Sequence, residues 1–271
     1  MKILVFGAHP DDCDLHAGGA AILWKKRGDS VRFVSVTDGG AGHHRMDPVT
    51  LVERRRREAQ QAAAVIGIEY ESVGIPDGQV VPSLENRLAI IRLIRRYAPD
   101  LVVTHRANDY HPDHRYTSTL VQDSAFMVTA PLVCPEVPHL DRNPVIAYFY
   151  DDFTKPTRFQ VDIAVDIEPV MDQKWEMLHA HASQFYEWLP FNQGTLAEVP
   201  ADEAARKGWL KRKWGPSCQR PVEPSREKLR EIYGKDHAAK VEFAEAFEIC
   251  EFGRQPSAVE LRQLFPVSPR A

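Results

Sequence analysis

Two short runs of this chain concentrate groups that bind metal ions and move protons: His9-Pro10-Asp11-Asp12 and Asn108-Asp109-Tyr110-His111-Pro112-Asp113-His114. Imidazole nitrogens and carboxylate oxygens without thiolates form the ligand set of a catalytic zinc site, where three protein ligands leave a position open for water. Such a site also needs a carboxylate to take a proton from water, a donor for the tetrahedral intermediate, and groups that orient the ligating histidines. His9, Asp11, Asp12, His111, Asp113 and His114 exceed what one open site requires, so some serve those further roles; residue type alone leaves the division open. Taken singly, His-Pro-Asp-Asp also reads as a polar turn whose carboxylates cap a helix. A second cluster of the same kind, also at a strand end, turns the reading toward a metal hydrolase.

Groups so far apart in sequence meet only if the fold brings both runs to one edge. The pattern predicts strands at Lys2 to Phe6, Val31 to Thr37, Tyr70 to Val73, Leu101 to Thr104 and Val145 to Tyr150. Between them fall helical periods: Ala17 to Arg27 closed by Gly28, Val49 to Ile66 closed by Gly67, Ser83 to Tyr97, and Pro112 to Val128. This rhythm specifies an α/β fold: a Rossmann-like, doubly wound, mainly parallel sheet with helices on both faces, plus a C-terminal extension. In such sheets functional groups gather beyond the carboxyl ends of the strands, and both runs fall there. Further on, Phe159 to Ile167 reads as a strand, Pro169 to His181 as a helix, and Asp236 to Glu251 as a last helix. Between them, Gly208 to Trp214 interleaves aromatic and basic residues, which suits stem packing, a subunit contact or a pocket lid.

Composition excludes several classes. Hydrophobic residues make up 44% and charged residues 27% of 271, with a net charge of -4, so nucleic-acid binding is not expected. No apolar stretch approaches the roughly 20 residues of a membrane span, and the N-terminal apolar run reads as a strand instead of a leader. Four scattered cysteines without a Cys-x-x-Cys pair suit a reducing, cytoplasmic setting. A nucleotide-binding Rossmann module is disfavoured, because Gly7-Ala8-His9-Pro10-Asp11-Asp12 replaces the glycine-rich turn and its acids would repel a pyrophosphate.

The pairing of Ala8-His9-Pro10-Asp11-Asp12 with His111-Pro112-Asp113-His114 resembles the PIG-L (LmbE-like) family of zinc-dependent N-deacetylases. Thr37-Asp38-Gly39-Gly40, Arg55-x-x-Glu58-Ala59, Ile75-Pro76-Asp77-Gly78 and His181-Ala182-Ser183-Gln184 follow in the family's order, so the resemblance covers residues 1–185 and leaves 186–271 as an extension packed on the same domain. It implies that His9, Asp12 and His114 hold Zn2+ or another divalent metal, that Asp11 is the general base, and that His111 serves the oxyanion or leaving amine with Asp113 orienting it. It further implies that Arg55 and Asp77 bind sugar hydroxyls. Asp38 and Asp109 join them as candidate substrate contacts; Asp38 reads equally as a turn residue, and Asp109 and His105 read equally as structural hydrogen-bond partners or as groups that orient a ligand. Two positions depart from the family's pattern: Cys13 stands where many members have Glu, and Asp109 where a tyrosine is frequent. The implied activity is removal of an N-acetyl or other N-acyl group from an amino-sugar-containing small molecule, by a chain that could form a homo-oligomer. An esterase or a thiol-conjugate amidase could use the same loops.

Overall fold

The computed structural model describes residues 1–267. Strand β1 (Lys2–Gly7) is buried throughout after Lys2, as expected of a parallel strand covered on both faces. It pairs in parallel with β2 (Ser30–Thr37) on one side and β4 (Leu101–Thr104) on the other. Beyond β2 lies β3 (Glu69–Ile75); beyond β4 lie β5 (Val145–Phe149), then β7 (Ala244–Ile249), then β6 (Ile163–Asp166). The chain therefore winds outward from β1 in one direction and resumes from β4 in the other, which makes the β1–β4 seam the switch point of a doubly wound sheet. Both acid- and histidine-rich runs leave the sheet at this seam.

Helices α1 (Asp12–Arg27), α2 (Pro48–Ile66), α3 (Leu84–Tyr97), α4 (Pro112–Met127) and α5 (Met171–Ala180) cover the two faces; α6 (Leu189–Asn192), α7 (Glu203–Gln219), α8 (Arg226–Tyr233), α9 (Lys235–Ala238) and α10 (Ala258–Leu264) follow. The expected caps form: Ser83 accepts the Asn86 N–H, and α1 and α2 stop at Gly28 and Gly67. Helix α1 begins at Asp12, earlier than the expected Ala17, because the acids Asp12 and Asp14 complement the positive end of its dipole.

Two expectations need correction. The strand at Phe159 to Ile167 shrinks to β6, since Gln160 N–H donates to the Glu248 side chain instead of a backbone ladder. The last helix at Asp236 to Glu251 is only the short α9, and Ala244–Ile249 is a strand. Alanine and glutamate favour helix locally, but antiparallel ladders to β5 and β6 and a buried partner for Glu245 override that preference. The final third thus supplies a strand to the interior of the sheet. Within α7, Trp209 and Trp214 turn inward against Tyr186 (5.9 Å) and Phe185 (5.1 Å), while Lys211 and Arg212 face solvent. Among the described residues no helix is long and apolar enough to cross a membrane, and Cys13, Cys134, Cys218 and Cys250 are buried and free.

Candidate metal centre

The β1–α1 turn and the β4–α4 loop place a nitrogen of His9, an oxygen of Asp12 and a nitrogen of His114 at the corners of one small triangle. His114 Nε2 lies 3.2 Å from His9 Nδ1, His9 Nδ1 lies 3.4 Å from Asp12 Oδ2, and His114 Nε2 lies 3.6 Å from Asp12 Oδ2. Three ligands about 2.1 Å from a tetrahedral ion stand about 3.4 Å apart. The far sides of both rings face carboxylates: His9 Nε2 is 3.2 Å from Asp77 Oδ1 and 3.5 Å from Asp113 Oδ2, and His114 Nδ1 is 3.1 Å from Asp109 Oδ2. With protons on those far nitrogens, His9 Nδ1 and His114 Nε2 would turn lone pairs toward one another, as two ligands of one cation do. The donor set fits a divalent ion of the zinc type.

The electrostatics agree. Burial works against charge on His9, yet the carboxylates of Asp113, Asp12 and Asp77 outweigh it and hold the ring well above its ordinary pKa. Burial likewise opposes ionisation of Asp12, but His114 and His105 hold it well below the usual carboxylate range. The pocket is built to stabilise positive charge at its centre.

Around this triangle the remaining predicted residues take distinct places. Asp11 is the N-cap residue of α1, but its side chain makes no capping bond. Instead Oδ1 accepts from Arg55 Nη2 at 2.7 Å. His111 is the N-cap residue of α4, and its Nδ1 accepts the Asp113 N–H at 3.2 Å, which leaves Nε2 to carry the proton. Burial, followed by the charge of His9, holds His111 below its ordinary pKa, so the ring is neutral near pH 7.

Four expected roles meet a different geometry. The Asp113 carboxylate does not lie against His111. It accepts the N–H groups of Gly78 (2.7 Å) and Val80 (3.2 Å) and faces His9, because the first turn of α4 directs it toward the β3–α3 loop. Arg55 is buried at 2% exposure, with Nη2 on Asp11 and Nη1 on the Gly39 carbonyl, so its guanidinium is committed to the protein. Gly39 has φ 72°, and a Cβ there would fall 2.7 Å from the guanidinium, so the turn requires glycine. Asp77 spends Oδ1 on His9 and Oδ2 on the Ala41 N–H; burial raises its pKa, but His9 and Arg55 outweigh that and bring it to about 2. Asp38 accepts from Gly40 N and Asp77 N and does not line the cavity, which fits the turn reading. Asp109 orients His114, and Cys13 packs with Sγ toward Val5 O and Val34 O.

Several further groups gather around the triangle, some of them without a role assigned from the sequence. His105 stacks on His114 (4.1 Å between centroids) with Nε2 3.2 Å from Asp12 Oδ2. Behind Asp11 and Arg55, the fully buried Asp14 and His181 lie 3.1 Å apart. A π-helical turn, Ser183–Trp188, brings Gln184 and Trp188 to the cavity, an irregularity common at functional sites. The cavity over the triangle measures about 610 Å³ and is closed on one side by Trp214, Cys218, Ala244 and Ala246 of the final third.

Fold and site together define a Rossmann-like protein with a cluster of histidines and aspartates at its switch point that could hold a metal ion. Residues 4–125 match the model of the PIG-L family, GlcNAc-PI de-N-acetylase. The chain is 27% identical over 207 residues to diacetylchitobiose deacetylase of Thermococcus kodakarensis, covering 70% of this chain and 74% of that protein. It is 26% identical over 201 residues to 4-oxalmesaconate hydratase of Pseudomonas putida, covering 71% and 78%. A solved structure of N,N'-diacetylchitobiose deacetylase from Pyrococcus horikoshii, complexed with its inhibitor MPG, superposes with a TM-score of 0.72 over 93% of this chain and 84% of that one; at 24% identity this is a likeness of fold.

Proposed function

We propose that this chain is a zinc-preferring, metal-dependent amidohydrolase that removes an N-acetyl or other N-acyl group from an amino-sugar-containing small molecule. The observation that carries this reading is the His9–Asp12–His114 triangle with Asp11 and His111 on its rim. His9, Asp12 and His114 would hold a divalent ion, which would supply Lewis acidity toward a water and a substrate carbonyl. Asp77 and Asp113 fix the His9 ring, and Asp109 fixes that of His114. Asp11, released from capping and gripped by Arg55, takes the proton from the attacking water. His111 presents Nε2–H as a hydrogen-bond donor to the developing oxyanion, and the proton that Asp11 took from water passes on to the leaving nitrogen. The similarity to diacetylchitobiose deacetylase of Thermococcus kodakarensis supports this reaction class. Trp214, Cys218, Ala244 and Ala246 of the C-terminal extension serve as pocket wall, and the buried free thiols support a reducing, cytoplasmic setting.

The test is acetate release from N-acetylglucosamine and N,N'-diacetylchitobiose by the zinc-loaded wild type, Asp11→Asn and His111→Ala. Each substitution is expected to lower kcat by about 10²–10⁴-fold; wild-type turnover in either variant removes that residue from its role. A second reading, hydration of an unsaturated carboxylic acid at the same cluster, is favoured by the 26% identity to a hydratase. Hydration without acetate release would select it.

A further inference from the structure

The cavity has two unlike wings on either side of the metal triangle, and the sheet order fixes which is which. Over β2 and β3 stand the polar groups Asp11, Arg55, Asp77 and Gln184. Over β5 and β7 the wall is Leu15 and His16, which lie one turn beyond Asp12 on α1, with Trp214 and Cys218 of α7 and Ala244 and Ala246 of β7. Because β7 runs antiparallel to β5, with Phe149 opposite Phe247, its first residues reach the same edge of the sheet as the carboxyl end of β5.

This second wing offers a ligand no free charge. Lys174 Nζ donates to Glu245 Oε1 at 2.6 Å and to the Leu15 carbonyl at 2.7 Å, and the Glu245 carboxylate also accepts the N–H groups of Gly19 and Ala20. His16 stacks on Phe149 at 5.3 Å; burial, then the neighbouring His105, push its pKa down to about 3, so the ring is neutral. At the rim, Asp151 and Asp152 are held by Arg106 and Arg220. The whole cavity, about 610 Å³, is in the range, about 300–1,000 Å³, that holds a drug-sized ligand, so one substrate can occupy both wings.

A planar amide with its carbonyl at the triangle sends its two substituents in opposite directions. The polyhydroxylated amine suits the polar wing, and the acyl group then points over β5 and β7. We propose that this wing is an acyl subsite and that the substrates carry a straight N-acyl chain longer than acetyl. The proposal rests on the amide-hydrolysis reading above. The reaction is unchanged by chain length: the C–N bond breaks, water gives its OH to the acyl carbon and a proton to the departing amine, and a fatty acid leaves.

The experiment compares N-acetyl-, N-butyryl-, N-hexanoyl- and N-octanoyl-glucosamine with the full-length zinc-loaded protein, following release of the free amine. Burial of each added methylene predicts a rise in kcat/KM of about fourfold until the wing is filled. Cys218→Phe, which fills the wing from α7, is expected to lower the octanoyl-to-acetyl ratio by about tenfold or more. Calorimetry with octanoate and acetate reads the subsite without turnover, octanoate binding at least about tenfold tighter. Acetyl hydrolysed best, with octanoate no tighter than acetate, overturns the acyl subsite and leaves deacetylation standing. Amine released from none of the series overturns the amide-hydrolysis reading and the subsite with it.

Discussion

Replacing Asp109 by asparagine asks whether His114 is a metal ligand whose proton is placed by its neighbour. Asp109 Oδ1 accepts the His111 N–H at 2.9 Å, and Oδ2 lies 3.1 Å from His114 Nδ1. Asparagine keeps the first contact through its carbonyl oxygen, so the loop retains its shape. It then turns an NH2 group toward Nδ1, which must accept, and the ring proton moves to Nε2, the atom that faces His9 and Asp12. Restoring the ligating tautomer means forfeiting that hydrogen bond and setting two donors against each other. Orienting partners of this kind are worth about 10–100-fold in metal affinity, or about 1.4–2.7 kcal/mol. The short contact and the loss of a carboxylate charge beside the cation put Asp109→Asn near the upper end. Competition between metal-stripped protein and a chromophoric chelator for zinc measures this directly, with circular dichroism confirming an unchanged fold. A zinc Kd within about threefold of wild type would refute the reasoning, because a histidine outside the ligand set would not register the change.

Other outcomes follow from the same contacts. Arg55→Ala leaves a buried carboxylate without its partner, at a cost of about 3–5 kcal/mol in urea unfolding; Arg55→Lys recovers only part of this, since one ammonium cannot reach both Asp11 and Gly39 O. Glu245→Ala strands Lys174 and the N–H groups of Gly19 and Ala20, and lowers stability by a similar amount, whereas adding Lys174→Met restores much of the loss. For metal-free protein, the depressed Asp77 carboxyl, about 2 when folded, contributes stability that is present above pH 4 and lost as pH falls toward 2. The Asp77→Asn variant is expected to lack about 2 kcal/mol of that acid-induced loss in urea titrations between pH 5 and 2.5.

What the sequence made legible follows the range of its signals. The apolar runs of β1, β2 and β4, the helix stops at Gly28 and Gly67, and the two His-Pro-Asp loops are local patterns, and together they define a doubly wound sheet with a metal-competent edge. Side-chain direction is not local. Nothing in His-Pro-Asp-His says that Asp113 turns from His111 toward the β3–α3 loop, or that Arg55 closes on Asp11 instead of staying open to ligand. Strand β7 stayed hidden for a related reason: Ala-Glu-Ala-Phe-Glu-Ile reads as helix until Lys174, about seventy residues earlier in the chain, supplies the partner that lets Glu245 be buried in a sheet. The acyl wing, built from α1, α7 and β7, was unreadable until that strand was placed.

The central claim is that His9, Asp12 and His114 hold one catalytic divalent ion. Elemental analysis of protein purified without chelators, for wild type and His114→Ala, tests it most directly when the same samples are assayed for acetate release. The account predicts about one zinc per wild-type chain, lost together with activity in the variant and not restored by added zinc. A variant that keeps both metal and activity, or a wild type that binds no metal and gains no activity from added zinc, would contradict it.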